Sequence, residues 1–348
     1  MPREPNPLGA PQSLLSRRAL FGAGIAAASL AGLSAPMAHG NSPRSSARTP
    51  GPVLTGGARM VPISGGHHVW VKHVPASRSG IPVLTLHGGP GFPHFYFECF
   101  EDFLPQAGIS YWYYDQLGCG FSDQPTDATL WTIDRFTREV EEVRDALGLE
   151  RVVLLGHSWG GLLGIEYALR YPDRLAGLVI SNMCASEPRY SAYLKTLRRE
   201  LPAKKLQRLE ELEKNHAYDS PEYESIMWED LYHRHICRLD PWPEPVLRAV
   251  KWLSAPVYNA IQGPSEFEVT GNMKGWDRWN DLSKIRAPTL VVGGRFDEMN
   301  PSDMQAMGQL LPNSTTVICE KGSHLSMYDD QKTYFSAVVP FLQRVTNS

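Results

Sequence analysis

The chain has 348 residues, of which 42% are hydrophobic and 20% are charged, so it can bury a substantial core and is neither disordered nor collagen-like. Its 34 Lys and Arg against 37 Asp and Glu give a formal charge of −3, which argues against a basic nucleic-acid-binding surface. The five cysteines are widely spread, without a C-x-x-C pair or metal-finger spacing, so neither a disulfide framework nor a zinc finger is expected.

The N-terminus has the pattern of an export signal. Arg17 and Arg18 come directly before a small-residue apolar run at 19–33, and Ala38-His39-Gly40 offers a signal-peptidase site. The alternative is a membrane anchor, but a helix over that run spans only about 22 Å against a hydrocarbon core of roughly 30 Å. The pattern therefore predicts a twin-arginine signal peptide over residues 1–40 and an exported, periplasmic or extracellular protein. Residues 41–60 are rich in Ser, Pro, Gly and Arg and predict a flexible leader.

Short β-branched or aromatic runs alternate with helix-like segments from Val69 onward, which is the pattern of a parallel sheet covered by helices. The run Val152-Val153-Leu154-Leu155 is apolar at every position, as expected for a strand that is buried on both faces. The expected strands are 69–74, 82–87, 110–114, 151–155, 176–181, 288–293 and 315–319.

One helix between two of these strands is clearly amphipathic. Phe136, Val140, Val143 and Leu147 recur at helical spacing and form one apolar stripe. The charged residues outside the stripe are expected to be solvated: Arg138, Glu139, Glu141, Glu142 and Arg144.

The alternation stops between residues 187 and 281. The sequence there is charged and helix-prone, and it contains a Pro-rich elbow at 240–245. We therefore expect an α/β core formed by residues 61–186 and 282–348, with an inserted helical cap over residues 187–281.

A nucleophile motif follows the buried strand directly. Residues 156–161 read Gly-His-Ser-Trp-Gly-Gly and precede a helix-like segment, which is the strand-turn-helix setting of a G-x-S-x-G nucleophile elbow. Small residues flank the serine because the turn is sharp and strained. Ser158 is the predicted nucleophile.

A serine hydroxyl needs a histidine to take its proton and an acid to orient that histidine, in the chain order Ser, acid, His. Asp297 lies just past one apolar strand and His324 lies in the loop after the next, at the carboxyl edge where α/β sites assemble. Asp303 is a weaker candidate because it falls where a helix should begin, which favours an acid for structural reasons. His157, next to the nucleophile, is expected to be structural.

The tetrahedral intermediate of such a reaction needs two backbone N–H donors. One is the amide of Trp159, directly after the nucleophile, and the other is assigned to Gly89 in the glycine-rich loop that follows the strand at 82–87. His233, His235 and Cys237 could suggest a metal site, but helical positions two apart point in different directions. No metal and no organic cofactor is expected.

Three motifs together resemble the proline iminopeptidase family of α/β-hydrolase serine peptidases: His-Gly-Gly-Pro-Gly at 87–91, the segment 115–122 and the elbow at 156–161. The likeness extends over nearly all of the chain after the leader. Motifs in the cap look like the branch that contains the tricorn-interacting aminopeptidase and bacterial L-amino-acid amidases; they lie at 232–235, 240–243, 263–267 and 271–277. The resemblance implies an α/β-hydrolase fold, with a mostly parallel sheet, helices on both faces and an inserted helical cap.

The family also implies how a free N-terminus is recognised. In the tricorn-interacting branch, glutamates at the positions that match Glu266 and Glu298 bind the substrate's α-ammonium group, and both are kept here. From the residues alone, Glu298 is attractive because it adjoins Asp297, whereas Glu266 is only one acid of the cap. The alternative for either residue is a solvated surface glutamate.

We therefore expect a serine aminopeptidase that releases an N-terminal residue, with proline favoured by the resemblance, from short peptides or amino-acid amides. Its partners are that substrate and the twin-arginine export machinery, with no nucleic acid and no stable membrane anchor. One alternative is an L-amino-acid amidase or small-ester hydrolase with the same triad, since both share the acyl-enzyme route. Another is a ligand-binding receptor that retains the triad, because fold does not fix function.

Overall fold

The computed structural model of the protein describes residues 55–77 and 80–347. The predicted signal peptide and most of the predicted leader lie outside the described residues, so the export signal stays a prediction. Within the described ranges, no helix is both long enough and apolar enough to cross a membrane.

The described residues form one eight-stranded sheet in the order β1-β2-β4-β3-β5-β6-β7-β8. The two pairs β1–β2 and β2–β4 are antiparallel, and every other neighbouring pair is parallel. The strands are β1 (Ala58–Pro62), β2 (His68–Val74), β3 (Val83–Leu86), β4 (Tyr111–Tyr114), β5 (Val152–His157), β6 (Leu175–Ser181), β7 (Thr289–Gly294) and β8 (Ser314–Cys319). The predicted, mostly parallel sheet is therefore present.

All the expected strands form, but β1 was not expected. It is an edge strand whose residues are largely exposed apart from Val61, so it has no apolar run to reveal it. Ala58, Arg59 and Met60, which the sequence assigned to the flexible leader, pair instead with β2. The leader prediction is wrong for these three residues, because the ladder of an exposed strand depends on its partner and not on its own side chains.

Helices flank the sheet and fill the segment between β6 and β7. The helices are α1 (Ile133–Ala146), α2 (Trp159–Arg170), α3 (Glu187–Arg198), α4 (Ala203–Lys214), α5 (Pro221–Ile226), α6 (His233–His235), α7 (Glu244–Lys251), α8 (Ala255–Ile261), α9 (Pro301–Leu310), α10 (Ser326–Asp329) and α11 (Gln331–Thr346). A π-helical turn, Met227–Tyr232, joins α5 to α6, and the 3₁₀ turns are Ser64–Gly66, His94–Asp102, Ala128–Leu130, Pro172–Arg174 and Trp279–Lys284.

Two glycine contacts show that helices cover both faces of the sheet. A Cβ at Gly164 of α2 would lie 2.8 Å from Leu178, and a Cβ at Gly177 would lie 3.0 Å from Val345 of α11. Residues 177 and 178 are neighbours in β6 and so point to opposite faces. Helices α2 and α11 therefore pack against opposite faces.

Helix α1 buries its predicted stripe, with Phe136, Val140 and Val143 fully buried. Two of the charges expected to be solvated are buried as well. Glu139 pairs with Arg135 and accepts the Leu117 N–H at 3.1 Å, and the Arg144 guanidinium donates to Glu141 and to the Leu149 carbonyl. The expectation is wrong for Glu139 and Arg144 because backbone groups of neighbouring loops need these partners, and a helical stripe cannot show that need.

The helical segment between β6 and β7 leaves and returns at one point. Ser186 forms an isolated bridge with Asp277, and the Glu187 and Arg278 N–H groups donate to carbonyls across this junction at 2.8 Å. The Glu166 carboxylate of α2 clamps the return by accepting from Trp276 Nε1 and Arg278 Nε, both at 2.6 Å. We call residues 187–276 the cap segment.

Candidate active site

The predicted nucleophile sits in a strained turn between β5 and α2. Ser158 has φ 54° and ψ −126°, a conformation that a non-glycine residue adopts only where the surroundings hold it. Its N–H donates to the Ser181 carbonyl of the adjacent strand at 2.9 Å. A Cβ at Gly156 would lie 2.1 Å from the Gly160 oxygen, and one at Gly160 would lie 1.9 Å from the Leu86 oxygen. The glycines of the elbow are thus required by close backbone contact.

The predicted acid and base meet at the carboxyl edge of the sheet. Asp297 follows β7, His324 follows β8, and His324 Nδ1 donates to Asp297 Oδ1 at 2.9 Å. Asp297 is completely buried. Its Oδ1 also accepts from the Met299 N–H at 3.0 Å, and its Oδ2 accepts from Asn182 Nδ2 at 2.6 Å. The carboxylate is therefore held in one orientation from two sides.

Burial alone would lower the pKa of His324, but the Asp297 carboxylate outweighs burial and raises this pKa above its ordinary value. Glu266 and Asp329 act in the same direction. His324 and Ser158 line the same cavity, and no direct hydrogen bond joins the two side chains within the part of the chain that the structure describes. A base with a raised pKa in contact with an acid suits proton transfer to and from a serine hydroxyl.

The competing acid lies elsewhere. Asp303 is in the first turn of α9 and forms an ion pair with Arg189 of the cap segment at 3.0 Å. The structure thus gives Asp303 a partner of its own, and it is Asp297 that contacts His324.

The two predicted oxyanion donors flank Ser158. Gly89, at φ 110°, and Trp159 both line a cavity beside the serine, and within the described residues neither main-chain N–H has a hydrogen-bond acceptor. Gln116 connects their two segments: its side chain donates to the His87 carbonyl at 2.9 Å and accepts from the Trp159 ring N–H at 2.8 Å. Sequence reasoning missed Gln116, because only the fold brings the loop after β4 between these residues.

His157 links the glycine loop to the catalytic histidine. Its Nε2 lies 2.9 Å from the His324 carbonyl and its Nδ1 lies 3.2 Å from the Tyr96 hydroxyl, which in turn accepts the Gly88 N–H at 2.5 Å. Burial, with His324 nearby, lowers the pKa of His157 far below its ordinary value. The neutral ring therefore donates through Nε2 and accepts through Nδ1.

Glu266 and Glu298 lie close behind the serine, and both are buried. Tyr258 donates to Glu266 Oε1 at 2.9 Å, and the Tyr190 hydroxyl lies 2.5 Å from the Glu266 carbonyl oxygen and 3.2 Å from Glu298 Oε1. Glu298 Oε2 is buried without a hydrogen-bond partner among the described residues. Tyr190 and Tyr258 were not predicted, because aromatic residues of a cap carry no sign of what they contact.

Both carboxyl groups have strongly raised pKa values. Burial raises the pKa of Glu266 to about 7, against the opposing effects of His324 and Tyr258. Burial raises the pKa of Glu298 well above its ordinary value, and the neighbouring Glu266 and Asp297 carboxylates raise it further. Two buried carboxyls with an unused oxygen form a site that lacks a cation.

Two cavities meet at Ser158. The larger, with about 700 Å³ of empty space, is lined by His324 and Glu266 besides the serine. The smaller, with about 230 Å³, is also lined by Glu266 and the serine, together with Trp159 and Tyr190. The structure thus brings together all the residues predicted for catalysis, oxyanion binding and amine binding.

The remaining candidates do not converge. His235 lies against the Phe296 carbonyl at 2.9 Å, whereas His233 packs against Trp228 and Trp242. Among the described residues, no group of three or more His, Cys, Asp or Glu side chains could hold a metal ion. Each of the five cysteine thiols, all of which lie within the described ranges, is free and buried.

Comparison with known proteins gives consistent likenesses. The family described as alpha/beta hydrolase fold matches residues 81–331. The proline iminopeptidase of Flavobacterium johnsoniae is 40% identical over 294 residues, which cover 83% of this chain and 99% of that protein. A solved proline iminopeptidase of Mycobacterium smegmatis has a TM-score of 0.76 at 33% identity, covering 83% of this chain and 98% of its own. The structure of VinJ has a TM-score of 0.79 at 31% identity, with the same shares covered.

Replacing Asn182 tests the support of Asp297. Asn182→Gly keeps the positive φ of 54° at this position accessible while removing the hydrogen bond to Asp297 Oδ2. We expect the rate at which an aryl ester acylates Ser158 to fall by roughly 10- to 100-fold, because a carboxylate that can rotate no longer fixes His324. Asp303→Ala is the control and should stay within about 2-fold of the unaltered protein. A large loss in the control together with none in Asn182→Gly would assign the acid wrongly.

Proposed function

The chain belongs to the α/β-hydrolase fold family and, within it, to the proline iminopeptidases, and from that premise we propose that it is a serine aminopeptidase that releases an N-terminal residue, proline above others, from short peptides. The α/β-hydrolase fold and the family resemblance predicted from the sequence are confirmed. The roles of the individual residues are part of the proposal.

The observation that carries the proposal is the buried carboxyl pair beside the nucleophile. Glu298 Oε2 has no partner among the described residues, and Glu266 receives a side-chain hydrogen bond only from Tyr258. A substrate ammonium group supplies the missing positive charge and hydrogen-bond donors, and such charge-assisted bonds are about twice as strong as neutral ones. A prolyl ammonium carries two N–H hydrogens, one for each carboxylate. A blocked N-terminus offers neither the charge nor both hydrogens.

The reaction follows from the geometry of the triad. His324 Nε2 takes the Ser158 proton as Oγ attacks the carbonyl carbon of the N-terminal residue, and the Gly89 and Trp159 N–H groups receive the oxyanion. His324 then gives the proton to the departing amine as the C–N bond breaks, which leaves an acyl-enzyme. Water, deprotonated by the same ring, releases the free amino acid. Asp297 stabilises the imidazolium throughout.

The alternatives are less favoured. An amidase or small-ester hydrolase would share Ser158 and its triad, but an ester hydrolase has no use for two buried carboxyls beside the nucleophile. A receptor would need neither the strained serine nor the free oxyanion donors. The similarity to proline iminopeptidases over most of the chain favours the peptidase.

Acetylating the substrate and altering Glu266 test amine recognition. We expect kcat/KM for prolyl anilide to fall at least 100-fold when the amine is acetylated, and to vanish in Ser158→Ala. Glu266→Gln should lower kcat/KM for the free-amine substrate roughly 10- to 100-fold, because one charge-assisted hydrogen bond weakens.

An aryl acetate, which has no amine, is the matched control for Glu266→Gln. The variant should keep its activity on that ester to within about 3-fold, because the triad is untouched. Equal turnover of free and acetylated anilides would contradict amine recognition and leave a general serine hydrolase.

The carboxyl pair also predicts a gain in stability when one member is neutralised. Glu298 ionises near 4.3 in an unfolded chain, but burial and the neighbouring carboxylates raise its pKa far above that in the folded protein. Between the two values the folded state holds more protons, so the free energy of unfolding falls as pH rises. We expect Glu298→Gln to raise the Tm at pH 8 and to differ less from the unaltered protein at pH 5.

The exposed Glu150→Gln makes the same chemical change outside the site and should leave Tm unchanged at both pH values. Each kcal/mol regained by Glu298→Gln corresponds to roughly 2–4 °C in Tm. A Tm at pH 8 that is equal to or below that of the unaltered protein would show that Glu298 is paired or solvated.

We further infer export through the twin-arginine route, supported by Arg17, Arg18 and the short apolar run that follows them. Replacing both arginines with lysine should retain the protein in the cytoplasm when cell fractions are compared by immunoblot. Unchanged export of that variant would contradict the proposal.

A further inference from the structure

The position of His324 distinguishes the two cavities at the nucleophile. His324 and the adjacent Leu325 line the larger cavity and not the smaller one. In acyl transfer the histidine must protonate the leaving amine as the C–N bond breaks. The leaving group must therefore lie on the side that His324 reaches, which is the larger cavity.

The smaller cavity suits the N-terminal residue itself. It is lined by Trp159, which supplies an oxyanion donor, and by Tyr190, whose hydroxyl contacts Glu298 Oε1 at 3.2 Å. An acyl group seated there places its α-ammonium near both carboxyls and its carbonyl on Ser158. About 230 Å³ of space admits a small residue and excludes a long chain.

The wall of the larger cavity is almost entirely apolar. Helix α7 presents Val246, Ala249 and Val250 to it, and Trp242 and Leu253, before and after that helix, extend the same surface. Burying an apolar group here is favourable by roughly 25 cal/mol per Å² removed from water.

The charges around this cavity exclude a free carboxylate. Within the described part of the chain, no Lys or Arg lines it, and Glu266 is its one carboxyl. A dipeptide's carboxylate would thus be buried without a partner and beside a like charge, which is costly. An amide-blocked residue, or one that continues into a longer peptide, avoids that cost.

We propose that the larger cavity is a leaving-group subsite for a bulky apolar second residue whose carboxyl group is not free. The inference rests on the proposed aminopeptidase function and adds the class of substrate. Val246, Ala249 and Val250 act as specificity-determining residues, and they contact the part of the substrate that departs.

A substrate series with a constant N-terminal proline tests the assignment. We expect kcat/KM to rise roughly 10- to 100-fold from Pro-Gly-amide to Pro-Leu-amide and Pro-Phe-amide, because each added methylene is buried against the apolar wall. Pro-Phe with a free carboxylate should fall roughly 10-fold or more below Pro-Phe-amide.

Filling the cavity should reverse that preference. Ala249→Phe is expected to reduce the ratio of kcat/KM for Pro-Phe-amide to that for prolinamide about 10-fold, since the new ring occupies the volume of the leaving group. Lys251→Phe places the same ring on the exposed side of α7 and should leave the ratio unchanged. If Ala249→Phe does not fold, as judged by its melting curve, Ala249→Leu makes the same test with a smaller group.

The outcomes separate this inference from the proposed function. Turnover that does not depend on the second residue, or a ratio unaffected by both Ala249 variants, overturns the subsite. A change in the preferred first residue among simple amides in Ala249→Phe also overturns it, because the cavity would then hold the acyl side. Absence of turnover on every free-amine substrate would instead refute the aminopeptidase itself.

Discussion

The strained turn at Ser158 is the constraint on which the site depends. A serine at φ 54° persists only because the sheet below and the helix above fix both of its ends. The same turn brings Gly160 so near the Leu86 oxygen that no side chain fits between them. That contact sets the distance between the nucleophile and the loop that begins at His87. Catalytic geometry is thus built into backbone packing and does not rely on side-chain flexibility.

Buried polar residues then join loops from separate strands into one unit. Gln116 connects the glycine loop with Trp159, and His157 connects Tyr96 of the following 3₁₀ turn with the main chain of His324. Each of these groups would be costly to bury alone, and each is satisfied by another. The oxyanion donors and the general base consequently keep their relative positions without help from the substrate. Glu298 is the exception, because its free oxygen is left for a ligand.

The sequence predicts most of this architecture where a local pattern exists. Strands buried on both faces have continuous apolar runs, and the nucleophile elbow has its own short motif, so the sheet and the triad residues could be placed. The edge strand β1 has no such run, and the burial of Glu139 depends on a loop 22 positions away in the chain. Asn182 reaches Asp297 across 115 positions, so nothing near it in the sequence reveals its role. Contacts of this range become visible only after folding.

The junction between Ser186 and Asp277 has a consequence for how such enzymes diversify. Strands β6 and β7 are direct neighbours with an unbroken register, although the whole cap segment lies between them in the chain. The sheet therefore sets no limit on the length or content of what is inserted there. Ser158, Asp297 and His324 all lie outside the insertion, whereas the apolar wall of α7 lies within it. Evolution can rewrite the cap, and with it the accepted substrate, while the chemistry is inherited unchanged.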